Sequence, residues 1–383
     1  MSARRILRTA AASLVVFGVA VSASVGRYAL AHPGISLQQN TASWARNHGF
    51  GGFVDQMEAW LHSKPPSTRP ADELTLVTDD SEPSLDPSTT LPSIDVTTTT
   101  LVNPRPAAIT PLIAPALKGE GQWRSLMKVR GETAVWATSL RPLADVGSVV
   151  ATVALFDQSR LHAALFNGTE LPGGGPWNNK DWVHKSARPS LVATFNGGFR
   201  FEHNPGGYMT EGVTVNKMKD GYATFAIAND GRATIGIYGK DIVDDGTWKS
   251  IRQNLPPLVV DGEIVYRNYK YIDWGKDYGN KIYNYRSAVC LTNDDRMAFI
   301  AVGDVNIRML ADTLLVVGCR IGMELDINGT WPQFAVWSGF GTTTRRGHVL
   351  DSRMHNPDRY VKTSTKDFFA FFDPSTLAPG AVR

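Results

Sequence analysis

Cysteine is scarce. The chain of 383 residues holds two, Cys290 and Cys319, in no CxxC pair and with no His/Cys spacing that suits zinc. His184, His203, His348 and His355 show no metal-ligand spacing either. There is no Gly-x-Ser-x-Gly elbow, which excludes the nucleophile of an α/β-hydrolase. The glycine-rich loop Pro172–Trp182 lacks the Lys-Ser/Thr of a P-loop, so nucleotide binding is not expected. Excess charge is lacking as well. The formal net charge is +3, and Arg4, Arg5 and Arg8 sit before the first apolar run, so the rest is near neutral and no nucleic-acid partner is expected. No period of the length that marks solenoids or propellers recurs.

The start reads as a targeting segment, 1–31: basic residues, then the apolar run Thr9–Gly26. A cleaved signal peptide would end at Ala29-Leu30-Ala31. An uncleaved anchor needs about 20 apolar residues, and the run is just short of that. The anchor is preferred because an amphipathic segment follows closely, and it makes the membrane a partner through the N-terminal segment. Under both readings the remainder faces outward, which gives an extracytoplasmic, membrane-anchored or secreted protein. Residues 40–62 read as short helical pieces, Thr41–His48 and Gly52–His62. In the second, Phe53, Met57, Trp60 and Leu61 form one apolar stripe. Its polar face lacks basic residues, which favours packing on the main domain over lying on a membrane. Residues 63–118 are rich in Pro, Ser and Thr and read as a disordered, extended linker. The folded domain spans 119–383. In an exported domain an even cysteine count suggests one disulfide, Cys290 to Cys319, between neighbouring strands; the alternative is two separate buried thiols.

Strand-like runs crowd the domain: Ser125–Val129, Ala134–Leu140, Ser148–Phe156, Leu161–Phe166, Leu191–Phe195, Tyr222–Ala228 and Thr234–Tyr238. One helix is clear over Val305–Val317, with Asp304 or Asn306 to cap its start and Gly318 its end. It joins strand Met297–Val302 to strand Arg320–Ile327, which suggests a crossover with those two strands parallel. The fold class is α+β: a mixed, mostly antiparallel sheet core with few helices, preceded by the anchor and the linker.

Three stretches carry the candidate chemistry. Ser190–Phe199 is an apolar strand running into Asn196-Gly197-Gly198, a turn that needs positive φ or a close backbone approach. Its exposed N–H groups could cradle an anion or a sugar oxygen, or it is a tight hairpin turn. Glu324 and Asp326 stand at i and i+2 of a strand, which places them on one face about 6.6 Å apart. Paired there, one could be a general acid with a raised pKa and the other stay ionised. Arg286 precedes the strand SAVCLT and can hold a phosphate or carboxylate in a bidentate fork; the alternative is a salt bridge to Glu324 or Asp326. In the turn after Asp326, Asn328 and Thr330 can hydrogen-bond a ligand, and Asp326 with Asn328 offers two oxygens to a divalent cation, the one cofactor considered. Trp177, Trp182, Trp331 and Trp337 can stack on a sugar ring or belong to the core. His203 follows the Asn-Gly-Gly turn and reads as a loop histidine.

The order of these pieces resembles the phosphodiester glycosidase family. The pieces are Asn196-Gly197-Gly198-Phe199, Pro205-Gly206-Gly207 with Glu211-Gly212, Pro257–Gly262, Arg286–Val289, and Leu325-Asp326 with Gly329. The likeness covers Ser190–Thr344. Looser likeness to exported actinobacterial members extends to Trp44–Trp60 and Thr365–Phe369. The resemblance implies hydrolysis of a sugar-1-phosphodiester, with a carbohydrate or glycolipid phosphodiester as substrate. It implies Arg286 on the phosphate, assisted by the Asn196–Gly198 backbone, and Asp326 or Glu324 as general base or electrostatic stabiliser. One departure stands out: the family's Leu-Asp-Gly-Gly-Gly-Ser is here Leu325-Asp326-Ile327-Asn328-Gly329-Thr330, with bulkier residues on the cleft floor. That departure makes a silent, wall-glycan-binding protein the rival reading. A third is an envelope scaffold that works through the Phe53–Leu61 helix and the linker.

Overall fold

The computed structural model describes residues 18–32, 37–77, 105–269, 272, 274, 282–338, 346–354 and 356–383. In chain order the first strands are β1 (Arg124–Val129), β2 (Glu132–Leu140), β3 (Ala151–Phe156), β4 (His162–Phe166), β5 (Leu191–Asn196) and β6 (Tyr208–Thr210). Next come β7 (Val213–Asn216), β8 (Ala223–Ala228), β9 (Ala233–Ile237), β10 (Trp248–Gln253), β11 (Val259–Val260) and β12 (Glu263–Ile264). The last are β13 (Asn284–Thr292), β14 (Met297–Val305), β15 (Cys319–Ile327), β16 (Phe334–Ser338), β17 (Arg346–Val349) and β18 (Phe368–Phe372).

They form three sheets. The largest has eight strands in the order β1-β2-β3-β14-β13-β15-β11-β12; the others have five each, β7-β6-β10-β8-β9 and β17-β16-β5-β18-β4. The α+β reading therefore stands, and the ladders are antiparallel. β14 and β15 run parallel, as the helix between them suggested, but they do not pair: β13 lies between and is antiparallel to both. The crossover helix Ile307–Val317 forms where caps and pattern agree. The Asn306 side chain accepts from the Met309 N–H at 3.0 Å, and Gly318 ends the helix at φ 86°.

The central strands of the eight-stranded sheet are buried on both faces, which explains near-continuous apolar strands such as β14. One face packs on the helix Ile307–Val317 through Ala288, Ile300, Val302, Leu310 and Leu314. The other face meets the five-stranded sheets in a core of phenylalanines. β18, FFAFF, shows the period-2 rule directly: Phe369 and Phe371 enter that core, and Phe368 and Phe372 enter a separate one with Phe166, Trp337 and Tyr360. Ring centroids of Phe225 and Phe369 lie 4.1 Å apart and those of Phe156 and Phe371 4.6 Å.

Cys290 and Cys319 form a disulfide across β13 and β15, closing a separation of 29 residues, with Cα atoms 5.6 Å apart. Loop-closure entropy puts its loss at about 3–4 kcal/mol. Serine at both positions should lower the melting temperature by about 10 °C. An unchanged melting curve would show that the sheet alone holds this loop.

The N-terminal part differs from expectation. Among the described residues no helix is long and apolar enough to cross a membrane. Residues 1–17, with the three arginines and half of the apolar run, lie outside the described residues. Helices cover Leu37–Ala45 and Gly51–Leu61. The stripe expected to pack inward faces out: Phe53 is 67% and Trp60 74% exposed, while Val54 is buried. Both described ends of the stretch read as a linker bond to the domain. Ala71 N–H donates to Gly147 O at 2.9 Å, Val77 N–H to Leu350 O at 3.0 Å, and Ile109 N–H to Gly121 O at 2.9 Å. The middle of that stretch, 78–104, lies outside the described residues.

Candidate functional site

The three stretches singled out in the sequence do meet, at the hydroxyl of Ser287 rather than at Arg286. Asn196 Nδ2 donates to Ser287 Oγ at 3.0 Å. Ser287 Oγ donates to the Asp326 carbonyl and accepts the Asp326 N–H, both at 3.2 Å. The ends of β5, β13 and β15 are tied together there. The ladder explains the rest. β13 pairs Ala288 with Glu324, then Arg286 with Ile327. Two steps along β13 match three along β15, so β15 carries a bulge between Glu324 and Ile327. The bulge breaks the alternation that would put Glu324 and Asp326 on one face. The expected carboxylate pair is not formed; each carboxylate has its own cation.

Glu324 belongs to Arg286. The two side chains are fully buried, and Arg286 Nη1 lies 2.6 Å from Glu324 Oε1. The guanidinium also donates to the carbonyls of Val305 at 2.9 Å, Trp274 at 3.2 Å and Ile282 at 3.3 Å. Of the two readings of Arg286, the salt bridge to Glu324 is formed: the buried fork serves Glu324 and three backbone oxygens.

Asp326 belongs to Lys366. One carboxylate oxygen contacts Lys366 Nζ, and the other accepts the Ile327 N–H at 2.9 Å. Both residues are nearly inaccessible. Lys366 Nζ also lies 4.8 Å from the centroid of Trp331, which is partly exposed. Burial pushes the Asp326 pKa up, against the charge and hydrogen bond of Lys366, which pull it down. Burial likewise pushes Lys366 down, against Asp326. A carboxylate kept in low dielectric beside one cation has the chemistry that a base or an electrostatic stabiliser needs, and a structural ion pair has it too.

The Asn-Gly-Gly turn works by close approach, not by positive φ. A Cβ on Gly197 would sit 2.2 Å from Asp367 Oδ2, and one on Gly198 2.5 Å from Asn254 Oδ1. Asp367 is held by Arg252, with Nε 2.8 Å from Oδ2, both fully buried. Arg252 Nη2 donates to Phe199 O at 2.6 Å, and Asn254 Oδ1 accepts the Phe199 N–H at 2.8 Å. Gly197 N–H donates to Asp367 O at 3.0 Å. The turn is thus braced from behind, and most of its N–H groups are used internally rather than offered to an anion.

The turn after Asp326 forms the partly exposed edge. Asn328 takes φ 106°, its N–H donates to Tyr285 O at 3.0 Å, and Thr330 Oγ1 reaches Asn328 Oδ1 at 3.4 Å. Arg359 Nη2 donates to Thr330 O at 2.8 Å, and its guanidinium carbon lies 5.6 Å from the Trp331 centroid. Among the described residues no group of three or more His, Cys, Asp or Glu is placed to hold a metal ion. Of the other tryptophans, Trp337 is core, and Trp182 is stacked on His184 at 5.0 Å. His203 is half exposed beside Glu202, and His355 lies outside the described residues.

Sequence reading missed Ser287, Lys366, Asp367, Arg252 and Asn254. The one local signal was Lys366-Asp367 just ahead of the aromatic strand β18, whose ladder with β5 delivers both residues to the Asn-Gly-Gly turn.

Fold and site together define an α+β domain in which a buried, lysine-paired carboxylate lies near the end of a central strand beside a partly exposed tryptophan. The sequence model of the phosphodiester glycosidase family matches residues 189–327, and over that span the chain is similar to this family. The match ends at Ile327, the first residue of the altered turn. Among curated proteins none matches the chain. Several solved structures resemble it, among them these two. One is the catalytic domain of zebrafish N-acetylglucosamine-1-phosphodiester alpha-N-acetylglucosaminidase, auto-inhibited by its pro-peptide. It has 18% identity and TM-score 0.42, covering 66% of this chain and 87% of that one. The other is a hypothetical protein from Synechocystis, with 10% identity and TM-score 0.43, covering 64% of this chain and 63% of that one. Both TM-scores lie below 0.5, and the likeness to the family rests on the sequence match over residues 189–327.

Proposed function

We propose that the chain hydrolyses a sugar-1-phosphodiester of a cell-envelope glycan or glycolipid, outside the cytoplasm, with Asp326 as the working carboxylate. The observation that carries this reading is the buried Asp326–Lys366 pair at the end of the family-matched span. In the reaction a water oxygen bonds to the anomeric carbon and its proton passes to Asp326. The bond from that carbon to the phosphate oxygen breaks, and its electron pair leaves on the phosphate. A phosphomonoester is already a good leaving group, so one carboxylate suffices where ordinary glycosides need two. The same carboxylate can stabilise positive charge on the sugar ring.

The test is release of free sugar by the full chain from a panel of sugar-1-phosphodiesters, with and without divalent cation, compared with Asp326→Asn. Export is supported by the Cys290–Cys319 disulfide. It is checked by thiol labelling after acid quenching of whole cells, where a labelled pair would count against it.

Lys366 supplies a second handle. Its charge opposes the upward push of burial on Asp326. Removing it in Lys366→Met should therefore raise the Asp326 pKa further. A base must be ionised, so the acid limb of kcat/KM should move to higher pH, by about 1 unit or more. A limb that stays in place would separate Lys366 from the proton-accepting group.

The rival is a wall-glycan-binding protein without catalysis. It is favoured by one observation, the substituted turn Ile327-Asn328-Gly329-Thr330, with Asn328 held at φ 106°. Binding of wall glycan with no release from any diester would select it.

A further inference from the structure

With Arg286 committed to Glu324, the phosphate of the proposed substrate lacks a cation. Arg200 is placed to supply it. It follows Gly198 by two residues, and its side chain is 16% exposed, whereas Arg252 and Arg286 are fully buried. The braced segment just before it fixes where it starts: Phe199 is bonded through both its N–H and its carbonyl. Its present partner is Glu170. Arg200 Nη2 lies 2.8 Å from Glu170 Oε2, yet that oxygen has no aligned hydrogen bond. The contact is one of charge rather than of matched geometry. The other oxygen of Glu170 is turned elsewhere, accepting from the Tyr28 hydroxyl and from Asn47 Nδ2 at 3.4 Å.

Arg200 is also close to the Asp326 site. The ladder that pairs Asn196 with Phe368 continues in the Gly197–Asp367 bond, so Gly198 and Lys366 come next in register. Lys366 feels Arg200: after burial, and against Asp326, the Arg200 charge further lowers the lysine pKa. The Gly198 N–H donates to no group among the described residues.

We propose that Arg200 is the phosphate-binding residue of this site, exchanging its contact with Glu170 for two aligned bonds to the phosphate, with the Gly198 N–H as a further donor. The assignment rests on the proposed phosphodiester substrate. A guanidinium fork matches phosphate oxygens in a way that the single unaligned contact to Glu170 does not. Glu170 is then a competitor for the arginine, and Tyr28 and Asn47 hold that competitor in place.

The test uses the full chain and two probes, inorganic phosphate in calorimetry and the cleaved diester in steady-state kinetics. Arg200→Gln should weaken phosphate binding about 10–100-fold, the loss of charged hydrogen bonds, and raise KM more than it lowers kcat. Arg200→Lys should recover part of it, since a point charge lacks the fork. Glu170→Gln should tighten phosphate binding several-fold. Opposite signs in the two variants cannot come from a shared loss of folding. Unchanged phosphate affinity in Arg200→Gln, weakening in Glu170→Gln, or no phosphate binding by the wild type would each overturn the assignment. The two proposals separate cleanly. Arginine-dependent phosphate binding without cleavage of any diester would sink the hydrolase and keep the site. Cleavage with unchanged KM in Arg200→Gln would do the reverse.

Discussion

Asparagine in place of Asp326 should lower sugar release from a sugar-1-phosphodiester by about 10³-fold. Proton transfer to a positioned group contributes about 10²–10⁴ in rate, and Asp326 is the group we assign to it. The substitution is close to isosteric. An amide oxygen can still accept the Ile327 N–H, and it leaves Lys366 with a dipole instead of an anion. Burial lowers the Lys366 pKa against the pull of the carboxylate, so losing the carboxylate should lower it further and lessen the cost of the buried charge. The fold should survive, with a loss on the order of 1–3 kcal/mol. Circular dichroism and a melting curve beside the kinetics keep the two effects apart. A folded Asp326→Asn protein that still cleaves at the wild-type rate would remove Asp326 from the chemistry. If the wild type cleaves nothing and yet binds wall glycan, the substituted turn after Asp326 becomes the explanation.

What the sequence made legible, and what it hid, follows from how local each signal is. Strands buried on both faces, such as β3 and β14, announce themselves by long apolar runs, and the helix Ile307–Val317 by caps at both ends. The meeting of three stretches was also readable, because strand ends carry the polar residues. The site's contents were not. Placing Glu324 and Asp326 on one face assumed an unbroken ladder, and the bulge opposite Ser287 breaks it. The counter-ion of Asp326 lies 40 residues away, and the only local sign of its burial is the aromatic strand β18 that follows it. The Asn-Gly-Gly turn was rightly read as needing glycine, but the need comes from Asp367 and Asn254 pressing against it. The Phe53–Leu61 stripe has helical period, and period alone does not say which way a helix faces.

Arg286 offers the sharpest contrast between the two ways of reading this chain. As a phosphate ligand it would be dispensable for folding; as the partner of Glu324 it is not. Arg286→Met should destabilise the protein by about 3–5 kcal/mol, because it leaves Glu324 as a buried charge without its cation and removes the donor of three carbonyl bonds. For a domain of this size that is a fall in melting temperature of about 10 °C or more. Glu324→Gln should cost less, since the guanidinium keeps its carbonyl partners and can still donate to an amide oxygen. The double variant Arg286→Met with Glu324→Met should regain much of the loss, because apolar residues can replace a buried ion pair with little net change. The coupling between the two sites, measured by denaturant unfolding of the four proteins, is therefore large and favourable. If Arg286→Met instead melts like the wild type and loses only phosphate affinity, the pair is incidental and the fork serves the ligand after all. Glu324 would then be a spectator, and the search for the phosphate would return from Arg200 to the strand β13.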